Sequence, residues 1–197
     1  MRLVIASNNE HKIREIKEIL GGFFDDVVSM REAGINIDVE EDGKTFLENA
    51  KKKAFEIHKL LPNDAVLADD SGLVVDALNG ALGVLSARFA LDGHNDKANN
   101  EKLLGHMKGV PTEKRTARFV CAAVLYESDG SCLTSQGTVQ GRILETERGS
   151  NGFGYDPLFL YEPEGKTFAE LSAEVKNEIS HRRKALSAMF DVLNSHK

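Results

Sequence analysis

The sequence predicts an α/β fold built on a central mixed β-sheet flanked by helices. In the first half, apolar runs of strand length, Leu3-Val4-Ile5-Ala6 and Ala65-Val66-Leu67-Ala68, are separated by stretches with helical spacing, as in sheets whose strands are joined by helices. In residues 117–139, two strand-like runs flank Ser128-Asp129-Gly130, the pattern of an antiparallel hairpin. At 197 residues and 41% hydrophobic content, the chain is long enough for a substantial core in one domain, with a second lobe beginning after Gly109 and Pro111.

Composition narrows the function. The formal net charge of −6 argues against DNA or RNA as partners, since a polyanion needs a basic footprint that releases its counterions. A small phosphorylated substrate stays compatible, because a metal and a few local cations can invert the field inside one cleft. The opening apolar run is too short for a signal peptide, and no later run approaches the ~18 residues of a membrane span. A cytoplasmic protein without membrane partners is expected. Cys121 and Cys132 have neither metal-ligand nor Cys-x-x-Cys spacing and read as small core residues.

The first strand leads through Ser7-Asn8-Asn9-Glu10-His11-Lys12 into a helix marked by Ile13, Ile16, Ile19 and Leu20 and closed by Gly21-Gly22. Ser7 and Glu10 fit a capping box, which would aim backbone N–H groups and the positive helix end at the loop. That is an anion site to which Lys12 adds charge; a well-capped helix is the plainer alternative. Residues 27–37 supply a second strand and a connection. The acidic loop Asp38-Val39-Glu40-Glu41-Asp42-Gly43-Lys44 then precedes a helix capped by Thr45 and Glu48, with Phe46, Ala50, Ala54, Ile57 and Leu61 on its buried stripe. Asn49 and Lys53 border that stripe, so Lys53 either covers apolar surface with its stem or reaches a phosphate. Pro62-Asn63-Asp64 ends the helix.

Ala68-Asp69-Asp70-Ser71-Gly72 places two adjacent acids where the next strand is expected to end in a turn. At the edge of a core such a pair is costly unless a cation or a shared proton offsets the repulsion. Mg²⁺, usually held by one or two carboxylates plus substrate phosphates, would do so; a surface turn with a capping acid is the alternative. Apolar residues 73–78, a turn at 79–83, Ser86-Ala87-Arg88 and a polar segment from Asp92 to Lys102 follow, with Leu103, Leu104 and Met107 marking a further helix. After the hairpin, Gly141 suggests a bulge. Gly149-Ser150-Asn151-Gly152-Phe153-Gly154-Tyr155-Asp156-Pro157 interleaves glycines with two rings and an acid, suited either to stacking on a planar base or to folding back on the core. Thr167 and Glu170 form a third capping-box pair before a helix carrying Ser180-His181-Arg182-Arg183, donors for an anion or a carbonyl oxygen unless merely solvated.

Six stretches, Ser7 to Lys12, Glu40 to Ala50, Ala68 to Leu73, Ser86 to Arg88, Gly152 to Pro157 and Ser180 to Arg182, stand in an order and at spacings that resemble the inosine/xanthosine triphosphate pyrophosphatase family. The likeness runs from residue 3 to about residue 190; the opening loop departs mildly, with Ser7-Asn8-Asn9 where many relatives carry Thr-Gly-Asn. The resemblance implies a homodimer of elongated, bilobal α/β subunits with the active-site cleft between the lobes, and Mg²⁺-dependent hydrolysis of ITP, dITP and XTP to monophosphate and pyrophosphate. It implies that Ser7, Asn8, Asn9, Glu10, His11 and Lys12 hold phosphates with Lys53 assisting, and that Asp70 is the general base. Metal would be bound by Asp70 and an acid of the Glu40-Glu41 pair, with Asp69 alongside. Ser71 would touch substrate, and Phe153, Gly154, Tyr155, Asp156, Lys176, His181 and Arg182 would surround the base. A Maf-like nucleotide pyrophosphatase, another nucleotide phosphohydrolase and a nucleotide-binding module without chemistry are the competing readings.

Overall fold

Among the described residues, seven strands form one sheet in the order β2-β1-β3-β4-β5-β6-β7: β1 (Arg2–Ile5), β2 (Asp26–Ser29), β3 (Ala65–Val75), β4 (Thr116–Tyr126), β5 (Cys132–Ile143), β6 (Phe159–Tyr161) and β7 (Lys166–Thr167). The structure, a computed structural model, describes residues 2–20, 23–90 and 95–195; Gly21 and Gly22, and positions 92–94 of the polar segment, lie outside these. β1 runs parallel to β2 and β3, whereas β5 and β6, and β6 and β7, are antiparallel, so the sheet is mixed as expected. The chain divides into two compact units, one of Met1–Ser71, Cys121–Gly137 and His181–Lys197, the other of Gly72–Val120 and Thr138–Ser180.

In the first unit the two-residue period of the strands sorts the core. Leu3, Ile5, Ala65, Leu67, Cys121, Ala123 and Leu125 pack with the apolar stripe of α1 (Glu10–Leu20) and with Ala185, Leu186, Met189 and Phe190 of α5 (His181–Ser195). Val4, Ala6, Val66, Ala68 and Val124 pack with Ala50, Ala54 and Ile57 of α2 (Phe46–Leu60). The expected capping box of α2 is formed by Thr45 and Glu48. At α1 the cap is instead Asn9, whose Oδ1 accepts from the N–H groups of His11 (3.0 Å) and Lys12 (3.1 Å), while Ser7 Oγ accepts from Asn9 N–H. Asn is as good a cap as Ser, and it lies one residue before the first helical position.

β3 does not end at the two acids. It runs on to Val75 with only Ser71 less than buried, because Leu73, Val74 and Val75 resume the apolar pattern and Asp69 and Asp70 find partners inside.

In the second unit Leu73, Val75, Leu103 of α3 (Asp96–His106), Met107 just past its end, Phe119, Phe159 and Phe168 belong to one core, with Phe119 and Phe159 centroids 4.6 Å apart. Gly141 sits inside β5 rather than at its end: a Cβ there would lie 2.5 Å from the Phe159 ring, so close packing accounts for the glycine. Arg115, buried among apolar residues, donates to the carbonyls of Met107, Val110, Ile143 and Leu144. The hairpin turns at Gly130 (φ +83°). Cys132, expected in the core, is exposed; Cys121 is buried.

The last helical segment is two helices. The Thr167–Glu170 box closes one turn of 3₁₀ helix, Ser172 caps α4 (Ala173–Ile179), and the chain breaks at Ser180 before α5. Among the described residues no helix is long and apolar enough to cross a membrane.

α5 starts hard against β5. A Cβ on Gly137 would lie 2.1 Å from the His181 carbonyl oxygen and 2.4 Å from Ala185 N, backbone atoms that cannot swing aside. Gly137→Ala is therefore expected to lower unfolding free energy by about 1–3 kcal/mol, the usual cost of overpacking, read as an earlier urea midpoint; an unchanged midpoint would refute the close approach.

Candidate active site

The pleat of β3 sends the two adjacent acids to opposite faces. Asp69 turns toward α1 and α5, Asp70 toward α2, so they do not share a cation side by side.

Asp69 has no exposed surface. Its Oδ2 accepts from Arg182 Nε (3.2 Å) and Nη2 (3.0 Å), from Ser71 Oγ (3.2 Å) and from the Cys121 thiol (3.8 Å), with Lys12 Nζ at 3.5 Å. Arg182, 1% exposed, also donates through Nη2 to Ser71 Oγ (3.0 Å) and pairs through Nη1 with Glu15 on α1. Two cations thus meet two anions inside the unit. Burial alone would push the Asp69 carboxyl up; the charges of Lys12, Arg182 and Lys53 reverse this and hold it well below the usual carboxylate range. Burial likewise disfavours the Lys12 ammonium, and Asp69 and Asp70 outweigh it, leaving its pKa raised.

On the other face Asp70, 6% exposed, accepts from Asn49 Nδ2 at Oδ2 (3.0 Å) and from Ser71 N–H at Oδ1 (2.9 Å). Lys53 Nζ lies 3.9 Å from Asp70 Oδ1 and donates to Glu41 Oε1 (3.2 Å) and to the Asp69 carbonyl (2.7 Å). Burial raises the Asp70 carboxyl; Lys53 and Lys12 oppose the rise and the Glu41 charge adds to it, leaving the pKa above the ordinary value. The acidic loop is tied down by Asn49, whose Oδ1 accepts from Gly43 N–H (2.7 Å), and by Asn8, which donates to the Ile37 carbonyl (3.2 Å). Of the glutamate pair, Glu41 is half-buried against Lys53 and Glu40 is exposed.

In the second unit Asp156, 3% exposed, accepts at Oδ2 from Lys176 Nζ (2.6 Å) and from Phe153 N–H (3.0 Å). Gly152 (φ +74°) lets the loop wrap this carboxylate, since a Cβ there would stand 2.0 Å from Asp156 Oδ2. Lys176 Nζ lies 4.8 Å from the Phe153 ring centroid, within cation–π range. Tyr155 points into the core, its hydroxyl donating to the Ser86 carbonyl (2.6 Å), and burial raises its phenol pKa.

Of the residues expected at a site, Lys12, Asp69, Ser71 and Arg182 converge, as do Lys53, Asp70 and Glu41, and in the second unit Phe153, Gly154, Asp156 and Lys176. Ser7 and Asn9 shape the turn into α1, Glu10 lies 3.8 Å from Arg31, and His11 is exposed. His181 is buried at the start of α5. Two contributors escaped the sequence reading: Glu15, an acid between Ile13 and Ile16 on the apolar stripe of α1, and Asn49, which was visible only as a border position. The signal for Glu15 is its place among buried isoleucines, which asks for an internal cation.

Because the folded-state pKa of Asp69 lies below its ordinary value of 3.8, its stabilisation is complete above that pH and is lost as pH falls below it. Asp69→Asn leaves Lys12 and Arg182 facing the single anion Glu15 and is expected to remove about 3–5 kcal/mol at pH 7, while flattening the acid limb of a stability profile measured in urea. Equal stability of both proteins at pH 7 would contradict the buried network.

The sequence profile of the Ham1 family matches residues 3–192. A dITP/XTP pyrophosphatase of Clostridium perfringens is 51% identical over 98% of this chain and 97% of its own length, and one of Bacillus subtilis is 45% identical over 98% and 96%. Among solved structures, the Staphylococcus aureus Ham1 protein superposes with a TM-score of 0.87 at 43% identity, covering both chains fully, and a HAM1 protein from Coxiella burnetii with 0.87 at 37%, covering 99% of each.

Proposed function

The chain belongs to the Ham1 family, and on that premise we propose that it is a nucleoside triphosphate pyrophosphatase, hydrolysing dITP, ITP and XTP to the monophosphate and pyrophosphate. The relatives named dITP/XTP pyrophosphatase support this over nearly their full length. The observation that carries the chemistry is Asp70: a carboxylate 6% exposed, of raised pKa, beside Lys53 and Glu41.

In this reading Asp70 accepts the proton of a water that attacks the α-phosphorus. The bond from that phosphorus to the α–β bridging oxygen breaks, and pyrophosphate leaves with the oxygen and its charge. Lys12 and Lys53 stabilise that charge, and the loop from Ser7 to Lys12 receives the phosphates. The donor set fits Mg²⁺: Asp70 Oδ1 and Glu41 Oε1 lie 3.9 and 3.2 Å from the same Lys53 Nζ, hard oxygens of the kind that hold this ion together with substrate phosphates. Bound there, Mg²⁺ would neutralise the polyphosphate. Asp69 Oδ2 is engaged by Arg182 and Lys12, while its Oδ1 is buried with no hydrogen-bond partner, which leaves one oxygen of Asp69 to join that set.

Hypoxanthine and xanthine carry an oxygen acceptor where adenine carries an amino donor. Lys176 supplies a donor suited to that oxygen, and against adenine it would be left unpaired. Phe153 offers a ring face. Arg182 acts through Asp69 and Ser71, its three nitrogens being engaged there and on Glu15. Lys12, Lys53 and Asp70 belong to the first unit, and Phe153 and Lys176 to the second. A cytoplasmic homodimer completes the proposal.

The test is turnover of dITP, XTP, ITP, GTP and ATP with Mg²⁺ and with EDTA, identifying the product. Mg²⁺-dependent pyrophosphate from the first three, with little from ATP, is expected; release of single phosphate, or equal turnover of all five, would overturn the assignment. Asp70→Asn should lower kcat by about 10²–10⁴-fold, the usual worth of a general base, with the fold retained.

A further inference from the structure

Helix α3 is unusual in what it buries. Apart from Leu103, its buried residues are Asn99 and Asn100, at 2% and 3% exposure, so one turn of the helix presents amides where a core helix presents aliphatic groups. Each amide holds a different loop of the same unit. Asn99 accepts from Ala90 N–H (2.8 Å) and donates to the Ala87 carbonyl (3.0 Å). Asn100 donates to the Gly154 carbonyl (3.2 Å), and Asp96, one turn earlier, accepts from Gly154 N–H at Oδ2 (2.7 Å).

The two contacts on Gly154 clamp consecutive peptide planes. Asp96 fixes the Phe153–Gly154 plane and Asn100 the Gly154–Tyr155 plane, while Asp156 fixes the plane before Phe153 through the Phe153 N–H. Gly154 has φ +63° and nothing within 4 Å of where a Cβ would stand. Its glycine therefore serves backbone conformation, not space. With the peptides on both sides of Phe153 held, the direction of its Cα–Cβ bond is set before any ligand arrives. Asn100 Oδ1 is buried with no hydrogen-bond partner. An orphaned acceptor costs stability, so this amide is poorly explained as a device for stability alone.

We propose that Asp96 and Asn100 are positioning residues for base recognition, presetting the Phe153 ring over which the purine stacks. The inference rests on the reading of Phe153 as base-facing. Losing either bond lets the loop sample other conformations, and the fraction competent for stacking falls. The effect belongs to binding of the base and leaves the phosphate chemistry alone.

The experiment is steady-state kinetics of wild type, Asp96→Ala, Asp96→Asn, Asn100→Ala and Gly154→Ala with dITP and with dATP, alongside thermal unfolding of each. Asp96 is exposed, so its variants test the idea even if Asn100→Ala does not fold. For Asp96→Ala the KM for dITP should rise about 3- to 10-fold, the worth of one hydrogen bond. Its kcat should stay within about twofold and its preference for dITP over dATP should shrink, because KM for dATP gains less. Asp96→Asn, which keeps an acceptor oxygen, should recover most of the loss, and Gly154→Ala should behave like Asp96→Ala. An unchanged KM and preference in folded Asp96→Ala, or a fall in kcat at constant KM, overturns the clamp. Wild-type protein with no preference for dITP over dATP would remove the base-recognition reading itself, and the inference with it.

Discussion

Moving a carboxylate from water into a protein interior costs several kcal/mol unless cations and hydrogen bonds compensate it, and in Asp69 this chain has placed one with no exposed surface at all. Much of the first unit is arranged around that requirement. α1 contributes Lys12 and the acid Glu15, and α5 contributes Arg182. Arg182 stands in the first turn of α5, where the helix dipole disfavours a cation by about 0.3–1 kcal/mol. Breaking a buried ion pair costs about 3–5 kcal/mol, so the pairing wins. Gly137 allows the helix start to come near enough, and the break at Ser180 begins a fresh helix there.

The same pleat that commits Asp69 to one face frees Asp70 for the other. Adjacent in sequence, the two acids have opposite electrostatic fates: one is held ionised by the cations around it, the other is pushed toward its neutral form by burial. A base needs affinity for a proton, and a counter-ion must not have it. One strand step supplies both. The second unit follows a different logic, in which the loop around Phe153 is shaped by Asp156, Lys176 and the polar face of α3.

Legibility in the sequence followed the range of the interaction. The α2 cap, the hairpin and the mixed sheet rest on patterns a few residues long, and Thr45, Glu48 and Gly130 announce them. The length of β3 is not legible locally, because Asp-Asp-Ser-Gly has the composition of a turn, and only partners from α1, α2 and α5 make it a strand interior. Glu15 and Arg182 are separated by 167 residues, and no local spacing joins them. Tyr155 shows the converse: read as a ring for the base, it serves the core through Ser86, a choice that composition leaves open. The six ordered stretches were informative as a set because they collect residues that only the fold brings together.

The Cys121 thiol, buried beside Asp69, bears on the redox chemistry of the molecule. Burial and the neighbouring carboxylate both push its pKa up, and the thiolate is the form that oxidants and alkylating reagents attack. The anion that anchors the site therefore also keeps this sulfur inert. Cys132, the other cysteine of the chain, is exposed, so a maleimide dye would mark the folded protein at one position on the rim of the hairpin, leaving the ionic cluster undisturbed.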